Sequence, residues 1–365
     1  MPFSTIDDPK KYFDTQLFTG TNTSGRTFTG LNFQPDMIWG KQRDSANYNH
    51  FIVDVVRGGT KFIATNSTAS EDTASHGQIT SWNSDGTTWS DGTNGTYPRL
   101  YYNDNGQLGG SGTRVWWQWK ANGAGVSNTS GSITSTVSVN QTSGFSIVSY
   151  TGTGSVANVG HGLGVTPACF ITKCRSNAVT SWGMYHQSVG NTAFMELNGT
   201  AAKQTNIAYF NNTSPTSSVF TIGTDTINNG NGYTFIAYCF AEVKGFSKFG
   251  SYTGNGSSDG TFVYTGFKPA FLLAKSSSTA NRQWYIVDNK RSTSDGNNVL
   301  NKTLAPNQSN DESWWGTNNY VDFVSNGFKF RDSYDGFNES GGTYIYMAFA
   351  SSPFVSSKSI PTTAR

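Results

Sequence analysis

The chain runs through one pattern three times in the same register, and that repetition restricts its fold more than any other feature. Phe18-Thr19-Gly20, Tyr150-Thr151-Gly152 and Tyr252-Thr253-Gly254 open the copies. Fifteen residues after each glycine stands a proline (Pro35, Pro167, Pro269), and six further on a lysine (Lys41, Lys173, Lys275). Short apolar runs lie between them: Met37-Ile38-Trp39, Cys169-Phe170-Ile171 and Phe271-Leu272-Leu273. His50, Trp182 and Trp284 fall fifteen residues after the prolines, and Asp54, His186 and Asp288 nineteen after. The copies close alike on Trp117-Gln118-Trp119, Tyr238-Cys239-Phe240 and Met347-Ala348-Phe349, each followed by an alanine (Ala121, Ala241, Ala350). Each unit is about 90–100 residues long, the size of a small sandwich domain.

Within a unit the signals are those of strands. Tyr233 to Tyr238 and Thr343 to Met347 alternate as half-buried strands do. Ser84-Asp85-Gly86, Asn103-Asp104-Asn105-Gly106, Asn229-Gly230 and Asp335-Gly336 read as turns between them. Composition agrees: 41 glycines supply turns, 14% aromatic residues suit pleated surfaces, and only 13% charged residues leave little material for exposed helices. The fold class is therefore all-β, with three tandem antiparallel β-sandwich (jelly-roll) domains over 13–121, 145–243 and 244–353. Residues 122–144 are Gly/Ser/Thr-rich and read either as a linker or, through Thr136-Val137-Ser138-Val139, as an extra strand. The arms 1–12 and 354–365 lie outside the copies and are expected to order by docking on neighbours.

Several function classes are disfavoured at this level. A net charge of +2 without dense Lys/Arg runs argues against nucleic acid. No apolar stretch approaches the roughly 20 residues that span a bilayer, and the N-terminus has neither the basic start nor the apolar run of a signal peptide. Synthesis in a cytoplasm is the expectation. Cys169, Cys174 and Cys239 are an odd set in one copy, which argues for buried thiols rather than a disulfide framework.

A search for catalytic groups finds little. Two-carboxylate glycoside hydrolysis needs a pair of acids about 5–9.5 Å apart. The five glutamates (Glu71, Glu196, Glu242, Glu312, Glu339) are scattered, with no two near enough in sequence to share a strand, and Asp332 and Asp335 fall on opposite strand faces. His50, His76, His161 and His186 have no metal-ligand spacing. The glycines around Gly152-Thr153-Gly154 and Gly160 to Gly164 precede no helix that would cradle a phosphate. No catalytic residue, metal ligand or cofactor is assigned. Oxygen-rich loops (Asp91-Gly92, Ser294 to Asn297, Asn310 to Glu312) leave Ca²⁺ open against ordinary hairpin chemistry. The repeated lysines are expected to lay their stems on the core edge with the amine in water, the alternative being a shared acidic partner. Trp82, Trp89, Trp314 and Trp315 stand among Ser, Asn, Asp and Gly. They read either as platforms for a sugar ring or partner side chain, or as plugs at the ends of the sandwiches.

The aromatic-Thr-Gly start, the Pro-x₅-Lys spacing, Trp284-Tyr285-Ile286-Val287-Asp288 and the ending Ile360 to Arg365 together resemble a domain family of marine bacteriophages. Its members are described as concanavalin A-like lectin/glucanase jelly rolls in tail or other virion structural proteins. The resemblance covers nearly the whole chain and is clearest in the second and third copies; the first departs after Asp54. It implies a lectin-like fold and a place in a virion, while the glucanase carboxylates are missing. The expectation is a non-enzymatic virion protein, a tail fibre or appendage subunit with other virion proteins as partners. It would be a homo-oligomer, a trimer among the options, that touches host surface glycan. The alternatives are a capsid or tail decoration protein and, remotely, a polysaccharide depolymerase.

Overall fold

A computed structural model describes residues 4–104, 112–292, 298–314 and 321–361. It is 42% strand and 4% helix, all in antiparallel sheets. The first copy has a six-stranded main sheet in the order Phe13–Thr19, Thr113–Trp119, Met37–Gln42, Phe51–Asp54, Lys61–Ala64, Asp72–Thr73. Over it lies a three-stranded outer sheet, Arg26–Phe28, Gly86–Ser90, Gln78–Asn83. The third copy repeats this with Ser247–Thr253, Thr343–Pro353, Phe267–Ser276 and Trp284–Asp288, under Phe262–Tyr264, Gly327–Phe330 and Val321–Val324. In the second, the main sheet runs Val126–Asn128, Ser135–Asn140, Phe145–Thr151, Thr234–Phe240, Cys169–Cys174, Trp182–His186, Ala193–Glu196, Gln204–Thr205, and Ala157–Gly160 pairs with Val219–Ile222 above it. Residues 122–144 thus supply two strands, because the alternation of Ser135 to Val139 lets them join the edge of that sheet.

Each main sheet is buried on both faces, which is why its strands are buried almost without a break. One face packs under the outer sheet of its own copy, forming three separate clusters. The other faces of all three sheets meet in one shared core, which includes Trp39, Trp117, Ile171, Trp182, Phe271 and Trp284. At its centre stand Trp119, Phe240 and Phe349, which occupy the same position in the three copies. Their ring centroids lie 6.3, 5.9 and 5.6 Å apart, a nearly equilateral triangle. The sandwiches are therefore arranged around an axis and do not form a linear string.

The terminal arms dock on their own chain. Ile6 is 3% exposed and belongs to the shared core. Tyr12 meets Phe246 edge-on at 6.0 Å, and Ser357 N donates to Asp7 Oδ1. The pooled core gives Ile6 an apolar site that a lone sandwich would lack.

Candidate functional site: the seams between the sandwiches

The residues that recur in the sequence gather where one sandwich meets the next. Trp182 Nε1 donates to Ala64 O of the first copy at 2.9 Å, and Trp284 Nε1 to Glu196 O of the second at 2.9 Å. Ala64 and Glu196 stand as far apart along the chain as Pro35 and Pro167, so the two bonds are one contact made twice. His50 holds the matching place in the first copy, fully buried and parallel to Trp117 with centroids 6.2 Å apart. Burial, with Lys41 and Arg291 nearby, pushes its pKa well below the usual histidine value.

Main-chain bonds close the ring. Glu71 N donates to Arg175 O, Lys203 N to Ser277 O and Glu312 N to Arg43 O, joining first to second, second to third and third to first. Two of these junctions carry bidentate ion pairs, Arg175–Glu71 (2.9 and 3.2 Å) and Arg43–Glu312 (2.9 and 2.8 Å). The other has Lys203 and Ser277 at those places and no ion pair between them.

Nineteen residues after each proline, the side chain reaches the closing strand of a neighbouring sandwich. Asp54 Oδ2 accepts from Tyr238 OH at 2.8 Å, and Asp288 Oδ2 from Trp117 Nε1 at 2.9 Å. The third seam offers Met347, which has no polar hydrogen, and there the residue is His186, with Nε2 3.1 Å from Tyr346 O. Its Nδ1 accepts from Ser188 N, which makes Nε2 the donor to that carbonyl. Acidic residues thus face donors and the histidine faces a carbonyl. Each aspartate is also paired three residues on: Arg57 Nε lies 2.6 Å from Asp54, and Arg291 Nε 2.5 Å from Asp288. Sequence reading passed over Arg57 and Arg291, although Asp-x-x-Arg recurs in the first and third copies and is missing after His186.

The lysines correct their expectation. Lys41, Lys173 and Lys275 are at most 1% exposed, and their amines donate to main-chain carbonyls rather than to water or acids. Lys173 Nζ bonds Thr68 O (2.9 Å) and Thr180 O (2.7 Å); Lys275 Nζ bonds Thr200 O (3.3 Å) and Ser276 O (2.9 Å). Thr68 and Thr200 keep the spacing of the first two prolines and belong to the preceding copy in each case. Lys41 Nζ turns to Gln42 O and Ser45 O in its own. Burial lowers their pKa values to about 7 for Lys41 and about 8 for Lys173 and Lys275.

The other singled-out residues have local reasons. A Cβ on Gly20, Gly152 or Gly254 would come within 1.9, 2.4 or 2.3 Å of the carbonyl oxygen of Asp104, Gly230 or Glu339, so only glycine fits beneath those turns. Pro35 and Pro167 are buried just ahead of strands, and Pro269 sits at a bulge where a missing N–H is tolerated. The four tryptophans do not gather. Trp89 is 1% exposed, in the first sandwich's core with Nε1 on Thr87, so it is a plug and not a platform. Trp82 packs half-buried against the same cluster, Trp314 is 51% exposed, and Trp315 lies outside the described residues. Of the oxygen-rich loops, Asp91 is taken by Arg99 and Tyr102, and Glu312 by Arg43. Residues 294–297 lie outside the described residues. Among the described residues no three His, Cys, Asp or Glu stand as a metal-binding group.

What fold and seams define is an all-β protein whose sandwiches are locked around a shared core by buried polar groups that pair across the seams. The chain belongs to the family described as a domain of unknown function, DUF7483, matched over residues 8–353 and so through all three sandwiches. No curated protein and no solved structure matches it. No helix among the described residues is long and apolar enough to cross a membrane.

Proposed function

We propose that this chain is a non-enzymatic structural protein of a bacteriophage virion, a tail-fibre or appendage subunit that helps attachment to the host surface. One observation carries the structural part of this reading. The side chains best suited to chemistry, Asp54, Asp288, His186 and the three lysines, are at most 1% exposed and committed to hydrogen bonds that lock the sandwiches or their edges. Such groups hold shape and are closed to a substrate. The phage assignment rests on the resemblance carried by the repeat landmarks and the C-terminal residues, and the partners it brings are other virion proteins.

A specific observation favours a second reading, a capsid or tail decoration protein without receptor binding. Two of the four tryptophans proposed as sugar platforms, Trp89 and Trp82, pack in or against a core. Cryo-electron microscopy of intact particles labelled with an antibody to the purified chain separates the two. Density at a tail tip or fibre, with glycan-array binding lost in Trp314→Ala, supports attachment. A regular lattice over capsid or tail tube, with an empty glycan array, supports decoration. Absence of the chain from purified particles would overturn both.

A further inference from the structure

A sandwich has an open side where the edges of its two sheets lie next to one another, and the copies treat that side differently. In the second sandwich the chain closes it. Ser135–Asn140 pairs antiparallel along Phe145–Thr151, from Asn140 opposite Phe145 to Thr136 opposite Ser149. Just before it, Ile133 is 9% exposed and bridges to Val159 of the outer sheet. One extended segment thus seals both sheets.

In the first sandwich the matching strand, Phe13–Thr19, is the edge of the main sheet, and Arg26–Phe28 is the edge of the outer one. Between them runs a groove of about 280 Å³ lined by Leu17, Phe18, Arg26 and Phe28. Gly20 N bonds Gly112 O and Lys120 N bonds Tyr12 O. The even-numbered residues therefore face Thr113–Trp119, and the main-chain groups of Phe13, Thr15 and Leu17 face outward. Among the described residues none donates to those three outward carbonyls; Asp14 Oδ1 accepts from Thr15 N, and at the end of the strand Arg26 Nη1 donates to Thr19 O. Leu17 is 37% exposed. The strand has no proline, lysine or bulge to discourage pairing. The corresponding edge of the third sandwich is capped further along its length: Thr261 Oγ1 donates to Thr253 O as Arg26 does to Thr19 O, and in addition Gln187 Nε2 donates to Phe249 O and the strand carries Lys248.

We propose that the groove beside Phe13–Thr19 takes an extended strand donated by a partner protein. The strand pairs antiparallel with the exposed edge and presents the alternating β-branched and small polar side chains that Ser135–Asn140 shows at the matching place. The pairing follows the main-chain logic of strand addition, with alternate side chains entering the groove. It does not depend on where the protein works.

A synthetic peptide with the sequence of residues 131–140 serves as the probe, added to the full chain and read by hydrogen exchange and titration calorimetry. Bound peptide slows exchange of the Leu17 amide at least tenfold. Leu17→Pro removes that outward N–H while sparing the inner ladder, as edge strands tolerate, and abolishes binding; Leu17→Thr retains it. Should Leu17→Pro fail to fold, N-methylation of the peptide at the residues matching Thr136 and Ser138 removes the pairing N–H groups and abolishes binding to the unaltered protein. An unprotected Leu17 amide, or undiminished binding of the methylated peptide, overturns the proposal. Concentration-dependent self-association that Leu17→Pro abolishes also overturns it, by assigning the edge to a second copy of the chain.

Discussion

Asp54 holds its carboxylate between an arginine of its own sandwich and a tyrosine of the next, with both charged side chains out of solvent. Removing the acid leaves the buried Arg57 guanidinium with only the longer 3.4 Å contact to Glu71 as counter-charge, the costly way to break such a pair. Asp54→Ala is therefore expected to lower stability by about 3–5 kcal/mol in urea unfolding. Asp14→Ala, on a partly exposed strand, should stay within about 0.5 kcal/mol. His186 gives a pH signature. Burial depresses its pKa to about 4, against 6.5 for the ordinary group. Between those values the unfolded chain binds the proton and the folded chain does not. The contribution is complete above pH 6.5 and lost as pH falls toward 4, with a slope of up to about 1.4 kcal/mol per pH unit. His50, also held neutral by burial, adds to the same window. Urea midpoints taken from pH 7 to 4.5 should fall, and His186→Asn, which keeps a donor for Tyr346 O, should fall less steeply by about one proton. The sequence showed that position nineteen after the proline was special. It could not show why the residue changes, because each partner belongs to another sandwich and stands far away along the chain.

At the scale of elements, turns and strand phase were the readable part. The aromatic-Thr-Gly landmark marks a place where the glycine sits on a main-chain carbonyl of the turn before the closing strand. Gly254→Ala would force its Cβ to 2.3 Å from Glu339 O, where a main-chain atom has to move. A loss of about 1–3 kcal/mol is expected. Gly95→Ala, with open space around the added carbon, should be near neutral in the same urea titration. The lysines show the limit of reading elements singly. A lysine at the end of an apolar strand normally lifts its amine into water, but here the neighbouring sandwich covers that exit for Lys173 and Lys275 and offers carbonyls instead. Likewise Trp89 stands among polar residues in sequence, yet its strand turns it inward onto Trp116 at 5.0 Å.

For the whole molecule, the pooled core makes the sandwiches interdependent. A fragment of residues 122–243 would expose Phe145, Ile171, Trp182 and Phe240, which the other two sandwiches now cover. Such a fragment is expected to bind a hydrophobic dye and give poorly dispersed amide spectra. The full chain should melt in one calorimetric transition, and three separable transitions would contradict a shared core. By itself the sequence determined the all-β class, the three-fold internal register and the glycines, prolines and apolar strands that build each sandwich. These follow from backbone sterics and from the period-two burial of strands, both local properties. The tertiary structure alone decided that the sandwiches close around an axis, that the repeated polar residues are buried seam contacts, and that among the described residues no further strand pairs with the outer edge of Phe13–Thr19. Those outcomes depend on which surface covers the second face of each sheet, and a strand buried on both sides carries no record of what it is buried against.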